Sequence, residues 1–214
     1  MPVLFDLDGV LVDSRAPFLT SLNYAFDKLG LPRRDPEALY PYIGPPFKVA
    51  FPGLLGVAPD DPQVDALIDG YRERYATASL EETTVAPGIA EALERLDGEP
   101  LAVATSKPRA FAEPLLEALG LRHHFAAIAG PELAARDEPK AVTVTRALEL
   151  LGTTSAVMIG DRRFDVEGAH ANGIQCIGVT WGIGTREELE TAGADAIIDD
   201  PLELDPALRV MSRP

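Results

Sequence analysis

Two aspartates, Asp6 and Asp8, stand one residue apart where the apolar run "VLF" ends, inside "FDLDGVLVDS". Further polar groups recur in the same way along the chain. Thr105, Ser106 and Lys107 follow "LAVA", Lys140 heads a helical pattern after "FAAIAG", and Asp161 follows "AVMIG" with Asp165 four residues on. In an open parallel sheet such positions lie at the carboxyl ends of strands, where sites form. Each has an ordinary reading when taken singly. An aspartate after a strand is often a turn former, and Asp165 can simply cap the helix "FDVEGAHANG". Together they bring carboxylates, a hydroxyl and an ammonium to one edge, and clustered like charges repel strongly unless a cation sits between them.

The donor set indicates the kind of cation. Carboxylate oxygens without His or Cys partners suit a hard ion, and Mg²⁺ prefers one or two carboxylates together with water and substrate phosphate oxygens. His123, His124 and His170 are not spaced as a metal set and read as structural or surface residues. A magnesium ion flanked by a hydroxyl and an ammonium suits phosphoryl transfer, where positioning and charge neutralisation supply most of the catalysis. A carboxylate can itself be the nucleophile, giving an aspartyl-phosphate. Alternate residues of a strand share a face, so Asp6 and Asp8 can address one phosphorus, one attacking and the other handling the leaving-group proton.

These residues need a frame. Short β-branched runs, "PVLFDL", "PLAVATS", "FAAIAG", "SAVMIGD", "IQCIGVTW" and "DAIID", alternate with helical patterns. The second to fifth are separated by about fifteen to thirty residues, enough for one crossover helix each, which predicts an α/β domain on a buried parallel sheet. Phe111, Leu115, Leu116 and Leu119 before Gly120, and Val144, Ala147, Leu148 and Leu151 before Gly152, give two amphipathic crossovers.

Between Ser14 and about Thr84 the rhythm breaks. Phe18, Leu22, Ala25, Phe26 and Leu29 form one helical stripe there, and Val64, Leu67, Ile68, Tyr71 and Tyr75 another. A structureless loop of that length is implausible, so the segment reads as a helical insertion leaving the core directly after the aspartate pair. Its "YPYIGPPFKVAFPGLLG", Tyr40 to Gly56, is dense in Pro and Gly and carries Lys48. It reads either as a substrate-facing loop or as a rigid helix connection.

Composition narrows the partners. The chain has 214 residues, 46% apolar and 25% charged, with a net charge of −15. That is a globular composition, and the negative field disfavours a nucleic-acid polymer or an anionic membrane surface. A lone Cys176 in an apolar run excludes an intrachain disulfide and reads as a core residue. No basic leader or long apolar stretch opens the chain, which gives the cytoplasm as the expected location. The sequence carries no signal for an oligomeric state.

The motifs "DLDGVLVDS", "TSK", "EPK" and "GDRRFD" resemble, in order and spacing, the four motifs of the haloacid dehalogenase superfamily of phosphohydrolases. The resemblance covers nearly the whole chain. It implies a Rossmann-like core over residues 1–14 and 85–214 and a small helical cap domain over residues 15–84. It also implies roles. Asp6 would be nucleophile and metal ligand; Asp8 would be the general acid and base and give its backbone carbonyl to Mg²⁺. Thr105 and the Ser106 backbone would hold phosphate oxygens, Lys140 would neutralise Asp6 and the phosphate, and Asp161 would ligate the metal with Asp165 in support. Lys48 is the candidate substrate contact from the cap.

The dehalogenases of the superfamily lack an acid at the position of Asp8, because a halide needs no proton, so Asp8 points to phosphate esters. A phosphonate-cleaving relative would need a cap lysine for a Schiff base, and Lys28 and Lys48 stand in no recognisable context for one. "TSKPRAFAEPLLEALGL" and "AVMIGDRRFDVEGAHANGI" look most like the phosphoglycolate phosphatase and 5′-nucleotidase-like branch, with a small phosphorylated metabolite as substrate. "AARDEPKAVTV" departs from the pattern in lacking the usual small polar lead-in to the lysine. A sugar-phosphate phosphatase or a phosphomutase with the same aspartates is the nearest alternative. A phosphoaccepting signalling receiver belongs to a different class and would not carry an insertion of this size.

Overall fold

The structure, a computed structural model, describes residues 1–135 and 137–211. Strand β1 (Val3–Phe5) opens the chain, followed by the short β2 (Val12–Asp13). Helices α1 (Arg15–Lys28), α2 (Pro36–Leu39), α3 (Phe47–Leu55) and α4 (Pro62–Glu82) come next. Strand β3 (Thr84–Val85) and helix α5 (Ile89–Arg95) return the chain to an alternating series. It runs β4 (Leu101–Ala104), α6 (Arg109–Ala118), β5 (Ala127–Ala129), α7 (Lys140–Leu151) and β6 (Val157–Gly160). Then follow α8 (Arg163–Ala171), β7 (Gln175–Val179), α9 (Arg186–Ala192), β8 (Ala196–Ile198) and α10 (Leu204–Met211).

Six strands form one sheet in the order β5-β4-β1-β6-β7-β8, each pairing parallel. Helices cover both faces, which is why the strands are apolar throughout. Val3, Phe5, Leu101, Val103, Val157 and Ile159 point into one layer, against α5, α6 and α10. Leu4, Ala102, Ala104 and Met158 point into the other, against Val144, Ala147, Val166 and Ala169 of α7 and α8. The pleat sends successive side chains to opposite faces and so builds both layers from one strand. Cys176 is buried in the second layer, as a core residue.

The order of strands sets the site. From β1 the chain builds outward through β4 and β5, then α7 carries it back to β6 on the other side of β1. The direction of winding therefore reverses at β1, and a crevice opens at the carboxyl ends of β4, β1 and β6. Asp6, Thr105 and Asp161 are the residues that immediately follow those three strands.

The insertion is helical, as its two stripes predict. Phe18, Leu22, Ala25 and Phe26 of α1 share one buried cluster with Val64, Leu67, Ile68, Tyr71 and Tyr75 of α4. Helix α4 starts at Pro62 because Asp61 caps it, its carboxylate accepting from the backbone N–H of Gln63 at 2.8 Å. Leu29 differs from the expected stripe: it falls at the C-cap of α1 and is 36% exposed. One element was not anticipated. Strands β2 and β3 pair antiparallel, Asp13 opposite Thr84, and bind the exit of the insertion to its return. Two residues are too few to show a period of two. Among the described residues, no helix is long and apolar enough to cross a membrane.

Candidate active site

Asp6 continues β1 for one more hydrogen bond, its N–H donating to the Ile159 carbonyl at 2.9 Å. The chain then turns sharply: the N–H groups of Leu11 and Val12 both return to the Leu7 carbonyl, and Gly9 takes φ +88°. A side chain at Gly9 would be strained there, and its Cβ would lie 2.2 Å from Asp161 Oδ2. The glycine thus lets the first turn lie directly against the third carboxylate.

Asp6, Asp161 and Asp165 bring carboxylate oxygens within 4.8 Å of one another, all buried. Lys140, the first residue of α7, reaches between two of them, with Nζ 2.7 Å from Asp6 Oδ1 and 2.7 Å from Asp165 Oδ1. The other Asp165 oxygen accepts from the backbone N–H of Arg162 and caps α8, so Asp165 caps this helix and stands in the carboxylate cluster at once. Asp161 Oδ2 accepts from the N–H of Ile183 at 2.7 Å, while Asp161 Oδ1 is buried with no hydrogen-bond partner.

Such an arrangement is costly without a further positive charge. Burial pushes the Asp6 carboxyl up to about 6, against the pull of Lys140 and with the push of Asp165 and Asp8. Asp161 is held well above the ordinary carboxylate range by burial and by its neighbours Asp165 and Asp6. Burial alone would lower Lys140, but the Asp165 and Asp6 charges more than reverse this and hold it above its usual value. One lysine shared by two carboxylates leaves the third uncompensated. An orphaned buried oxygen beside two further carboxylates, with no His or Cys, fits a hard divalent cation.

Asp8 is not part of this trio. Its carboxylate pairs with Lys107, Nζ to Oδ1 at 2.5 Å. Thr105 is buried at the end of β4, and its Oγ1 accepts from the N–H of Lys107 at 3.0 Å. Asp6, Asp8, Thr105 and Ser106 all line one recess between the sheet edge and the inserted helices. Lys48 stands apart: it pairs with Asp65 at 2.9 Å and is absent from the lining, and the same segment sends Phe47 to the recess instead.

Several contributors carried no assigned role in the sequence. Lys107 was visible in "TSK" as a strand-end residue, but its pairing with Asp8 crosses 99 residues of chain. Gly182 and Gly184 were invisible as site residues; a Cβ on Gly182 would lie 2.4 Å from the Asp161 side chain, and one on Gly184 1.9 Å from the Asp161 carbonyl oxygen. Arg162 donates from Nη1 to the Ile43 carbonyl at 2.5 Å and from Nε to Glu188 at 3.0 Å. It thereby fastens the loop after Asp161 to the insertion. The missing polar lead-in to Lys140 is replaced by Glu138, which forms a two-pronged pair with Arg146 at 2.9 and 3.0 Å and fixes the approach to α7.

Comparisons with known proteins agree with this geometry. A family model described as haloacid dehalogenase-like hydrolase matches residues 3–179. A 5′-nucleotidase of Pseudomonas aeruginosa is 38% identical over 191 residues, 87% of this chain and 86% of the relative. A phosphoglycolate phosphatase of Chromobacterium violaceum is 33% identical, covering 94% of this chain and 93% of its own. Among solved structures, a predicted phosphatase from Clostridium acetobutylicum superimposes with a TM-score of 0.92 at 37% identity, covering 98% of both chains.

Proposed function

The chain belongs to the haloacid dehalogenase-like hydrolases, and from that premise we propose a magnesium-dependent phosphomonoester hydrolase acting through an aspartyl-phosphate on a small phosphorylated metabolite. The observation that carries this reading is Lys140, held 2.7 Å from both Asp6 and Asp165 beside an Asp161 oxygen that has no partner. That set of groups is complete for a phosphate dianion and a cation and for little else.

In this reading residues 15–84 are a cap over a core of residues 1–14 and 85–214. The Asp6 carboxylate attacks phosphorus, the bond from phosphorus to the alcohol oxygen breaks, and Asp8 supplies that oxygen with its proton. In the second half Asp8 takes a proton from water, which attacks the phosphoaspartate, releases phosphate and restores Asp6. Lys140 keeps Asp6 ionised and oriented before the attack, and its charge stays beside the phosphoryl group until water restores the carboxylate. Thr105 already accepts from Lys107 N–H, so its own proton is directed to a phosphate oxygen, with the Ser106 backbone beside it. A magnesium ion bound by Asp6, Asp161, Asp165 and the Asp8 carbonyl would draw charge from the phosphate oxygens.

The names of the relatives offer a nucleotide and phosphoglycolate as substrates. The test is phosphate release by the purified protein from a panel of small phosphate esters, with Mg²⁺ and with a chelator. Release with the ion and none with the chelator is the expected result. Isomerisation of a sugar phosphate without liberated phosphate would make the protein a mutase, and a stable phosphoaspartate without turnover would make it a receiver.

A further inference from the structure

Beyond the phosphate-binding floor, the recess is walled by rings. Phe18, Phe47, Tyr71 and Tyr75 line it from the inserted helices, and Phe111 lines it from α6 of the core. Phe47 stacks on Phe51, with centroids 4.4 Å apart and planes at 12°. Phe51 is fully buried and does not reach the recess, so Phe47 is the ring of that stack presented to it. Phe47 also meets the edge of Tyr71 at 4.8 Å and 78°, and Tyr75 meets Phe111 at 5.7 Å and 86°. The walls from the two parts of the chain therefore share one aromatic surface.

The charged groups at this recess are already engaged. Lys107 pairs with Asp8, Glu138 with Arg146, and Arg72 donates to the Leu133 carbonyl at 2.8 Å. A substrate carrying a second anion next to its phosphate would bring that anion against apolar walls, and a buried charge without a partner is strongly disfavoured. A flat apolar group gains from the same walls by stacking and by leaving water.

Resting on the hydrolase reading above, we propose that this recess selects phosphomonoesters whose alcohol carries a planar aromatic ring, with Phe47 and Phe111 as its specificity-determining residues. A nucleoside 5′-monophosphate and a smaller ring-bearing alkyl phosphate share that chemistry. Phosphoglycolate, short and doubly anionic, does not.

The experiment uses matched pairs that differ by the ring alone: adenosine 5′-monophosphate against ribose 5-phosphate, and benzyl phosphate against ethyl phosphate, with phosphoglycolate as the anionic arm. In at least one pair kcat/KM favours the ring by about tenfold or more, the size of one base stacked on an aromatic side chain. Preference in the first pair alone identifies a nucleoside, and in the second alone a ring close to the phosphate. Phe47→Ala reduces that ratio to below about threefold, and Phe47→Tyr restores it, with circular dichroism confirming that each variant folds. Phe111→Ala gives an independent second reduction. If neither pair favours the ring, or if phosphoglycolate is hydrolysed as well as the favoured ring-bearing ester, the specificity proposal is wrong while the hydrolase reading stands. If none of the five releases phosphate with Mg²⁺, both are wrong.

Discussion

Lys107 Nζ stands 2.5 Å from Asp8 Oδ1, and the same ammonium lies 5.1 Å from the centroid of the Tyr75 ring. The two side chains are 5% and 13% exposed, so little water screens the pair. The backbone N–H of Lys107 is also tied to Thr105 Oγ1, which joins the residue that holds Asp8 to another residue lining the recess. In the proposed mechanism Asp8 gives and takes a proton at one oxygen, and the pair with Lys107 fixes the direction of that carboxylate. We treat Lys107 as a positioning residue.

Lys107→Met lowers kcat by about tenfold to a hundredfold with a much smaller change in KM, and Lys107→Arg recovers part of the loss. The pairing itself is read from stability. In a double-mutant cycle of Lys107→Met and Asp8→Asn, chemical denaturation gives a coupling energy of about 1–3 kcal/mol. Additive single effects would show that the two side chains do not act together.

Gly182 marks a second constraint, because a Cβ there would lie 2.4 Å from Asp161. The residue after it donates its N–H to Asp161 Oδ2 at 2.7 Å, so displacing this loop disturbs the carboxylate directly. Gly182→Ala weakens the dependence of activity on Mg²⁺ by about tenfold to a hundredfold in half-saturating concentration, as supporting contacts of metal ligands usually do. A titration of activity against Mg²⁺ checks this, and an unchanged midpoint would show that Gly182 does not hold Asp161 in place.

Arg162 connects the loop after Asp161 to the inserted helical segment through the Ile43 carbonyl, its guanidinium 2.5 Å from that oxygen. Arg162→Met keeps the stem and removes both this bond and the pair with Glu188. The expected outcome is faster limited proteolysis between residues 40 and 47, together with a several-fold rise in KM, because the aromatic wall begins at Phe47 on that segment. Proteolysis at the wild-type rate would show that other contacts hold the loop.

The parts of this fold that can be read in the sequence are those with a period or a fixed spacing. The β-branched runs give the parallel sheet, the stripe Val64, Leu67, Ile68, Tyr71 and Tyr75 gives a buried helix, and the strand-end positions give Asp6, Thr105 and Asp161. What the sequence conceals is set by contacts between distant segments. Lys107 is one of nineteen cations until Asp8 is placed beside it. Gly182 is an ordinary loop glycine until Asp161 fills the space its Cβ would need. The choice between Lys48 and its neighbour Phe47 turns on which way a helix start faces: Lys48 goes to Asp65 and Phe47 to the recess. That rotation is set by packing on Phe51 and Tyr71, which no local pattern encodes.

Asp6 links catalysis to stability. Burial raises its carboxyl from 3.8 to about 6 in the metal-free protein. Below about pH 4 the group is protonated in both folded and unfolded chains, and its burial carries no charge. Between 3.8 and about 6 the native state binds more protons than the unfolded one, so its contribution to stability falls as pH rises. Above that range the native state bears the whole cost of a buried carboxylate, up to about 3 kcal/mol for a shift of roughly two pH units. Asp6→Asn removes the charge and retains the shape. With a chelator present at pH 7.5, this variant is therefore more resistant to urea than the wild type, and the gain shrinks toward zero as pH falls to about 4. Added Mg²⁺ stabilises the wild type far more than the variant, because the ion supplies the missing positive charge only where the carboxylate trio is whole. Hydrolysis is abolished in Asp6→Asn at every pH, since the amide cannot attack phosphorus. A variant less stable than the wild type at pH 7.5 without metal would show that Lys140, not burial, decides the state of Asp6.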